Sequence, residues 1–234
     1  MVTHAPPPTL LNETTLFSLA STVALLALAL GLAKALLPAR AYASNRERWT
    51  FVWLLFDGLI HFILEGAFVY LSFPRPRTVN SANSTLASLW HEYSLADTRW
   101  GVSDPTVVSV ELITVLGAGP LAIWCCESLR RGEEGWKFWI VVLSVAELYG
   151  GWMTFVPEWI SGSPSLNTSH WLYTWIYLFF FNGLLMNVHF VRATGDRWVA
   201  IPLVLIYQAY FDIMGALEEK RERMEARREG KKKA

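Results

Sequence analysis

The feature that most constrains this sequence is a series of apolar stretches, each about as long as a bilayer is thick. A helix needs about 20 mostly apolar residues to cross about 30 Å of hydrocarbon, and residues 16–37, 49–71, 107–129 and 136–156 each supply such a run. A fifth stretch runs over 171–191, is interrupted by Arg192-Ala-Thr-Gly-Asp-Arg197, and resumes over 198–217. Hydropathy therefore allows five spans or six. The first stretch lacks a basic leader and is too long for a cleaved signal, so it reads as a retained anchor helix; Lys34 sits near enough to its end to snorkel. With 234 residues, 53% hydrophobic and 17% charged, the chain falls below the roughly 25% charge of soluble domains, which argues against a soluble α/β enzyme. The expected fold is an all-α, five-helix membrane bundle of one domain, residues 1–217, followed by a basic tail, residues 218–234.

Charge placement chooses between five and six. Lys and Arg balance Asp and Glu at 20 each, so no basic surface is available to displace counterions from nucleic acid. By region the balance breaks: the tail holds eight basic and five acidic residues. With the N-terminus outside and five spans, fourteen cations face the cytosol: Arg40, Arg46 and Arg48, then Arg130, Arg131 and Lys137, then the eight of the tail. Only Arg75, Arg77 and Arg99 face the other way. The positive-inside rule favours that arrangement, whereas a sixth full span would carry the tail across. The three N-x-Ser/Thr sequons, at Asn12, Asn83 and Asn167, all fall in outside segments.

Cys125 and Cys126 are adjacent, a spacing for neither a disulfide nor a metal, and read as small packing groups. No metal or cofactor is expected. The end, Lys231-Lys-Lys233-Ala234, reads either as a dilysine retrieval signal of the endoplasmic reticulum or as a solvated charge run.

Polar groups stand where they are expensive. The second span contains Asp57-Gly-Leu-Ile-His61-Phe-Ile-Leu-Glu65, whose spacing of four puts three ionisable groups on one helical face. Glu111 and Thr114 share a face of the third span, Glu147 lies in the fourth and Asn182 in the fifth. Each ionised group near mid-membrane costs on the order of 3 kcal/mol. Four carboxylates would cost about 12, comparable with the whole stability of a typical domain, so they must be shared, protonated or turned to a cavity. Glu147 reads as helix glue, and so does Asp57, unless it orients His61. The pair of His61 and Glu65 is chemically complementary, because an imidazole beside a carboxyl in low dielectric passes protons. With Glu111 as a further negative charge, the set suits proton addition and removal on an apolar substrate through a cationic intermediate.

These residues carry a resemblance. His61-Phe-Ile-Leu-Glu65-Gly66, the loop Leu89-Trp-His-Glu-Tyr93-Ser-Leu-Ala-Asp97-Thr-Arg99-Trp100, Glu111-Leu-Ile-Thr114 with Gly119-Pro120, and Leu148-Tyr-Gly150 resemble the emopamil-binding protein family (the EXPERA superfamily), sterol Δ8-Δ7 isomerases of the endoplasmic reticulum. The similarity extends from about residue 49 to 210, with the motifs in order and at family-like spacing. It implies a five-helix, multi-pass membrane isomerase with a lumenal N-terminus and a cytosolic C-terminus, acting on a sterol and inhibited by cationic amphiphiles. His61 and Glu65 would transfer protons and Glu111 would stabilise the carbocation. Thr114, Asn182 and Trp198 would line the pocket, supported from the lumenal loop by Trp90, Tyr93, Asp97 and Arg99. Interfacial anchoring is the plainer role for the loop residues, above all Trp90 and Trp100. A homodimer is left open.

One departure from the family concerns the last helix, where N-x-x-W-x-x-x-P is expected. Here Asn182-Gly-Leu184 is followed by Leu185, and Trp198-Val-Ala-Ile-Pro202 appears thirteen residues late. Removing 185–197 restores the pattern, so an insertion in the final helix, or a retained intron, is expected. As continuous helix it would carry Trp198 nearly 20 Å along the axis from its place near Asn182. The competing readings are a double-bond isomerase of a specialised terpenoid, and a non-catalytic lipid-binding or trafficking protein of the sigma-two receptor branch.

Overall fold

The computed structural model describes residues 13–37, 44–180 and 201–233. Four long apolar helical segments follow one another, Glu13–Leu36, Asn45–Ser72, Pro105–Arg130 and Trp136–Ile160, and a fifth long helix is Ile201–Lys233. Among the described residues there is no strand, only an isolated bridge between Asp97 and Leu166. The outer surface is apolar: Leu116 is 74% exposed and Ile113 66%, with Tyr149 and Trp152 also turned outward. Such surface is stable only in lipid, and the chain is a polytopic membrane protein.

Local chemistry sets the ends. Ser44 caps the second span, accepting from Glu47 N while its own hydroxyl donates to Glu47 Oε2 at 2.9 Å. Asp104 caps the third, with Pro105 in the first turn, where its missing N–H costs nothing. Gly132, at φ 71°, reverses the chain into the fourth span, so spans three and four lie antiparallel across a short turn.

The core lies at the end of the bundle nearest the basic tail. Phe51, Leu54 and Leu55 pack there with Ala122, Cys125, Cys126, Leu129, Trp136, Ile140 and Leu143, together with Ala29, Ala33, Leu205 and Ala209. Both cysteines are buried and unbridged, as a packing role requires. Small residues bring spans two and three together. A side chain at Gly58 would meet Ile123 Cδ1 at 2.8 Å, and one at Gly119 would meet His61 Cβ at 3.1 Å.

The fifth crossing is built in two parts. The wide helical turn Leu172–Phe180 has nine residues, too few to cross alone. Its Tyr177 and Leu178 cluster with Phe155 near the end of the fourth span. The helix Ile201–Lys233 lies along the other half of that span, where Asp212 reaches Lys137 at 3.8 Å and also pairs with Arg46. If one antiparallel helix carried Asp212 at Lys137, it would place about residue 194 level with Phe155. The residue found there is Leu178, about sixteen positions earlier in the chain. Residues 185–197 themselves, with Asn182 and Trp198, lie outside the described residues. Beyond the bundle the helix continues through residue 233, its residues 218–229 exposed and laced by pairs such as Arg221 with Glu225 at 2.9 Å.

Candidate active site

Two regions of widened helix, one in each of two neighbouring spans, define the site. In the second span Ile60–Glu65 is a π turn, in which Gly66 N–H donates to His61 O; in the third, Thr114–Ala118 is another, in which Gly119 N–H donates to Thr114 O. The two turns pack against each other. Such interruptions of the α ladder are rare and concentrate at functional sites. They hold or abut the three residues expected for proton transfer and cation stabilisation, His61, Glu65 and, one turn before the second π turn, Glu111, together with the pocket-lining Thr114.

His61 is buried and gripped from both sides of its ring. Nδ1 lies 2.6 Å from Glu65 Oε2, and Nε2 lies 3.1 Å from Glu147 Oε1 on the fourth span. Asp57 Oδ2 stands 3.4 Å from the same Nε2 and has no hydrogen-bond partner of its own. The spacing of four does bring Asp57, His61 and Glu65 together, but the carboxylates meet opposite nitrogens. Glu65 also has Thr114 and the carboxyl of Glu111 as neighbours across the interface with the third span. Thr114 Oγ1 lies 3.1 Å from Glu111 Oε2 and 3.0 Å from Glu111 O. One polar cluster therefore extends from Asp57 and Glu147 through His61 to Glu65, beside the Glu111–Thr114 pair, inside an apolar bundle.

The side chains in the cluster are not equally open. His61 is 3% exposed and Glu147 5%, while Glu65 keeps 18% of its side chain accessible. Asp57, His61 and Glu147 each also offer one atom within 4.8 Å of the other two, a spacing that could accept a divalent ion. The contacts at Nε2 are those of an imidazole N–H facing carboxylates, and proton chemistry at this site needs no ion.

The loop residues form a separate support. Trp90 stacks on Trp100, with ring centres 4.8 Å apart and 7° between planes; Phe68 stands 4.6 Å from Trp100, and Tyr93 5.1 Å from it and 5.7 Å from Tyr177. Trp100 is buried, so it is a packing residue and not the interfacial anchor that its loop position suggests. Phe68 follows Glu65 by less than a turn, which places this aromatic layer over the end of the polar cluster. Asp97 takes two hydrogen bonds from the Arg99 guanidinium, at 3.0 and 2.6 Å, and Arg99 donates to Thr154 O at 2.8 Å, with Glu158 at 3.6 Å. Burial opposes the charge on Arg99, but the Asp97 carboxylate outweighs it and holds the guanidinium above its usual pKa. This pair ties the loop to the fourth span; its contacts are with that span and not with the His61 cluster.

Residues 85–194 match the family model described as EBP: EXPERA (EXPanded EBP superfamily). Over that segment the chain is similar to this family. It is 27% identical to the 3-beta-hydroxysteroid-Delta(8),Delta(7)-isomerase of Cavia porcellus over 170 residues, 73% of this chain and 67% of that one. It is also 27% identical to a probable 3-beta-hydroxysteroid-Delta(8),Delta(7)-isomerase of Oryza sativa subsp. japonica over 176 residues, 75% of this chain and 72% of the other. A protoglabretal synthase of Ailanthus altissima matches over 176 residues with the same coverage at 24% identity.

Within the bundle the structure brings together His61, Glu65, Glu111 and Thr114, and adds Glu147, which the sequence had placed as glue between helices. The one available signal was its cost: a carboxylate in mid-span needs a partner, but sequence does not say which span supplies it. Asp57 does reach His61, as its spacing allowed.

Proposed function

We propose that the protein is a 3β-hydroxysteroid Δ8-Δ7 isomerase of the endoplasmic reticulum membrane, with its N-terminus in the lumen and its C-terminus in the cytosol. The observation that carries this reading is the pairing of buried His61 with Glu65, 2.6 Å apart, with Glu111 beside it in an apolar bundle and Glu65 as the most accessible of the three. The reaction moves a ring double bond without net oxidation. A proton adds to one carbon of the C8-C9 double bond, leaving a tertiary cation at C8; loss of the C7 proton then forms the new bond, and the proton count closes. Water would capture the cation, so the site must be dry, and an unshared positive charge in hydrocarbon is costly, so the site must supply negative charge. Glu65 and His61 would exchange the protons, and Glu111, held by Thr114, would face the cation. Glu65, the accessible member, would be the group that meets the substrate. The names of the relatives from Cavia porcellus and Oryza sativa support a sterol as that substrate.

The test is expression in a cell lacking Δ8-Δ7 isomerase, with sterol profiling. Conversion of accumulated Δ8-sterol to Δ7-sterol is the expected result; unchanged accumulation with correctly localised protein sinks the reading. The placement of the termini is tested with a C-terminal epitope, which should be stained after permeabilising only the plasma membrane.

A second reading keeps the proton chemistry and changes the substrate to a specialised terpenoid. It is favoured by the relatives named protoglabretal synthase in Ailanthus altissima and in Citrus sinensis, the latter 26% identical over 170 residues. Product formation from a tetracyclic triterpenoid, with no effect on Δ8-sterols, would select it.

A further inference from the structure

The polar cluster does not stop at His61. Behind the ring, on the side away from Glu65, two buried carboxyls from different spans converge on one nitrogen: Glu147 Oε1 at 3.1 Å and Asp57 Oδ2 at 3.4 Å from Nε2. In a membrane each such charge is expensive, and gluing helices would need only a neutral amide. We infer that Glu147 is a positioning residue of the proton-transfer machinery: it fixes a proton on Nε2 of His61, so that the exchangeable proton lies between Nδ1 and Glu65.

The argument follows from what each group can donate. A carboxylate only accepts, so an imidazole nitrogen that faces one must carry hydrogen. A neutral imidazole has a single N–H, and with Nε2 holding it, Nδ1 presents its lone pair to Glu65. The 2.6 Å contact between Nδ1 and Glu65 Oε2 then contains the proton of a carboxylic acid, or, after transfer, that of an imidazolium. In either state the proton lies on the side of the ring that opens toward Glu111 and Thr114. Were Nε2 bare, the single N–H would sit on Nδ1 and point permanently at a carboxylate, leaving no acid to protonate an alkene. Among the described residues, the ionisable groups facing His61 are Asp57 and Glu65 from its own span and Glu147 from the fourth, with Glu111 of the third beside Glu65. The logic is that of an orienting carboxylate in a hydrolytic triad, here set inside a bilayer. Glu147 comes from another helix, so span four must be docked before the ring is held.

This inference rests on the isomerase reading for its catalytic consequence, and its test has one arm that does not. The chain is labelled with [15N]histidine, placed in lipid nanodiscs, and His61 is assigned by the signal lost in His61→Asn. Wild type should show a protonated Nε2, and Glu147→Gln should shift the ring signals as an amide replaces the fixed acceptor. In sterol turnover, Glu147→Gln should lower kcat by about 100-fold or more, as loss of an orienting carboxylate does elsewhere, with KM changed less than about threefold; adding Asp57→Asn should lower kcat further. An unprotonated Nε2 in wild type overturns the inference, and so does a Glu147→Gln protein with wild-type ring signals and kcat, which is the outcome for simple glue. If the ring signals respond as expected in a chain that converts no sterol, the positioning stands and the isomerase reading falls.

Discussion

His61 Nδ1 and Glu65 Oε2 stand 2.6 Å apart within a single π turn of the second span. A contact this short between an imidazole and a carboxyl contains one shared proton. Glu65 is the partly open member and His61 the closed one; in the proposed mechanism the carboxyl delivers the proton outward and the ring behind it restores it.

Removing either partner should therefore stop turnover without dislodging the protein. His61→Ala and Glu65→Gln are each expected to lower kcat by about 1,000-fold or more, at the upper part of the range for general acid–base groups. Membrane fractionation and a detergent gel-filtration profile should remain those of wild type. Turnover within tenfold of wild type in either variant would show that proton transfer lies elsewhere.

In the proposed mechanism Glu111 acts on charge and Thr114 on the placement of Glu111. Glu111→Gln keeps size and one acceptor but removes the negative charge, and should lower kcat by about 100- to 1,000-fold. Thr114→Val removes the hydroxyl 3.1 Å from Glu111 Oε2 and should cost about tenfold. Steady-state kinetics on both variants checks the order; a Thr114→Val loss as large as that of Glu111→Gln would mean that the hydroxyl itself meets the substrate.

Gly119 lets the third span approach His61. A Cβ there would lie 3.1 Å from His61 Cβ, an atom fixed to the backbone with no flexible end to yield. Gly119→Val should push the two π turns apart and lower kcat at least about 100-fold, since small misplacements of reacting groups are that costly. By contrast Gly58→Ala meets the movable end of Ile123 and should be milder. Equal activities of the two variants would refute the close-approach argument.

The pair of Asp97 and Arg99 is a matter of stability. Asp97 is buried, accepts from Arg99 N, Nε and Nη2, and holds the loop against the fourth span through Thr154 O and Glu158. Asp97→Ala leaves a half-buried guanidinium with a single, longer ion pair and is expected to destabilise by about 3 kcal/mol. Thermal unfolding in detergent should show a lowered midpoint, and Asp97→Asn should recover part of the loss. An unchanged midpoint for Asp97→Ala would make the pair incidental.

How much of this was legible in the sequence depended on whether a feature is carried by one segment. Long apolar runs and the placement of Lys and Arg are such features, and five crossings follow from them. The pairing of His61 with Glu65, and of Glu111 with Thr114, was legible too, because the spacing within each helix already limits where the two members can point. What sequence could not give was the partner across a helix interface. Glu147 looks the same whether it faces Ser, lipid or His61. The π turns were also hidden, since an extra residue in a helical turn leaves no compositional trace. Trp100 looked like an interfacial anchor for the same reason: only its stack on Trp90 shows that it is buried. The displaced motif of Asn182 and Trp198 lies outside the described residues.

A cationic ligand distinguishes a site built for a carbocation from one that simply holds a sterol. If Glu65 and Glu111 stabilise positive charge at the sterol ring, a tertiary amine on an apolar skeleton, protonated at neutral pH, imitates the intermediate and gains what the neutral substrate cannot. Such an amine should inhibit competitively, with a Ki at least about 100-fold below the KM for sterol. The gain should depend on the charge partner: Glu111→Gln should weaken the amine by about 10- to 100-fold, while a neutral carbon isostere of the same shape should bind both proteins alike. Titration of the amine and its isostere against wild type and Glu111→Gln gives four affinities. If the amine loses no more than the isostere does, the charge on Glu111 is not directed at the substrate, and its work is confined to holding Glu65 and Thr114.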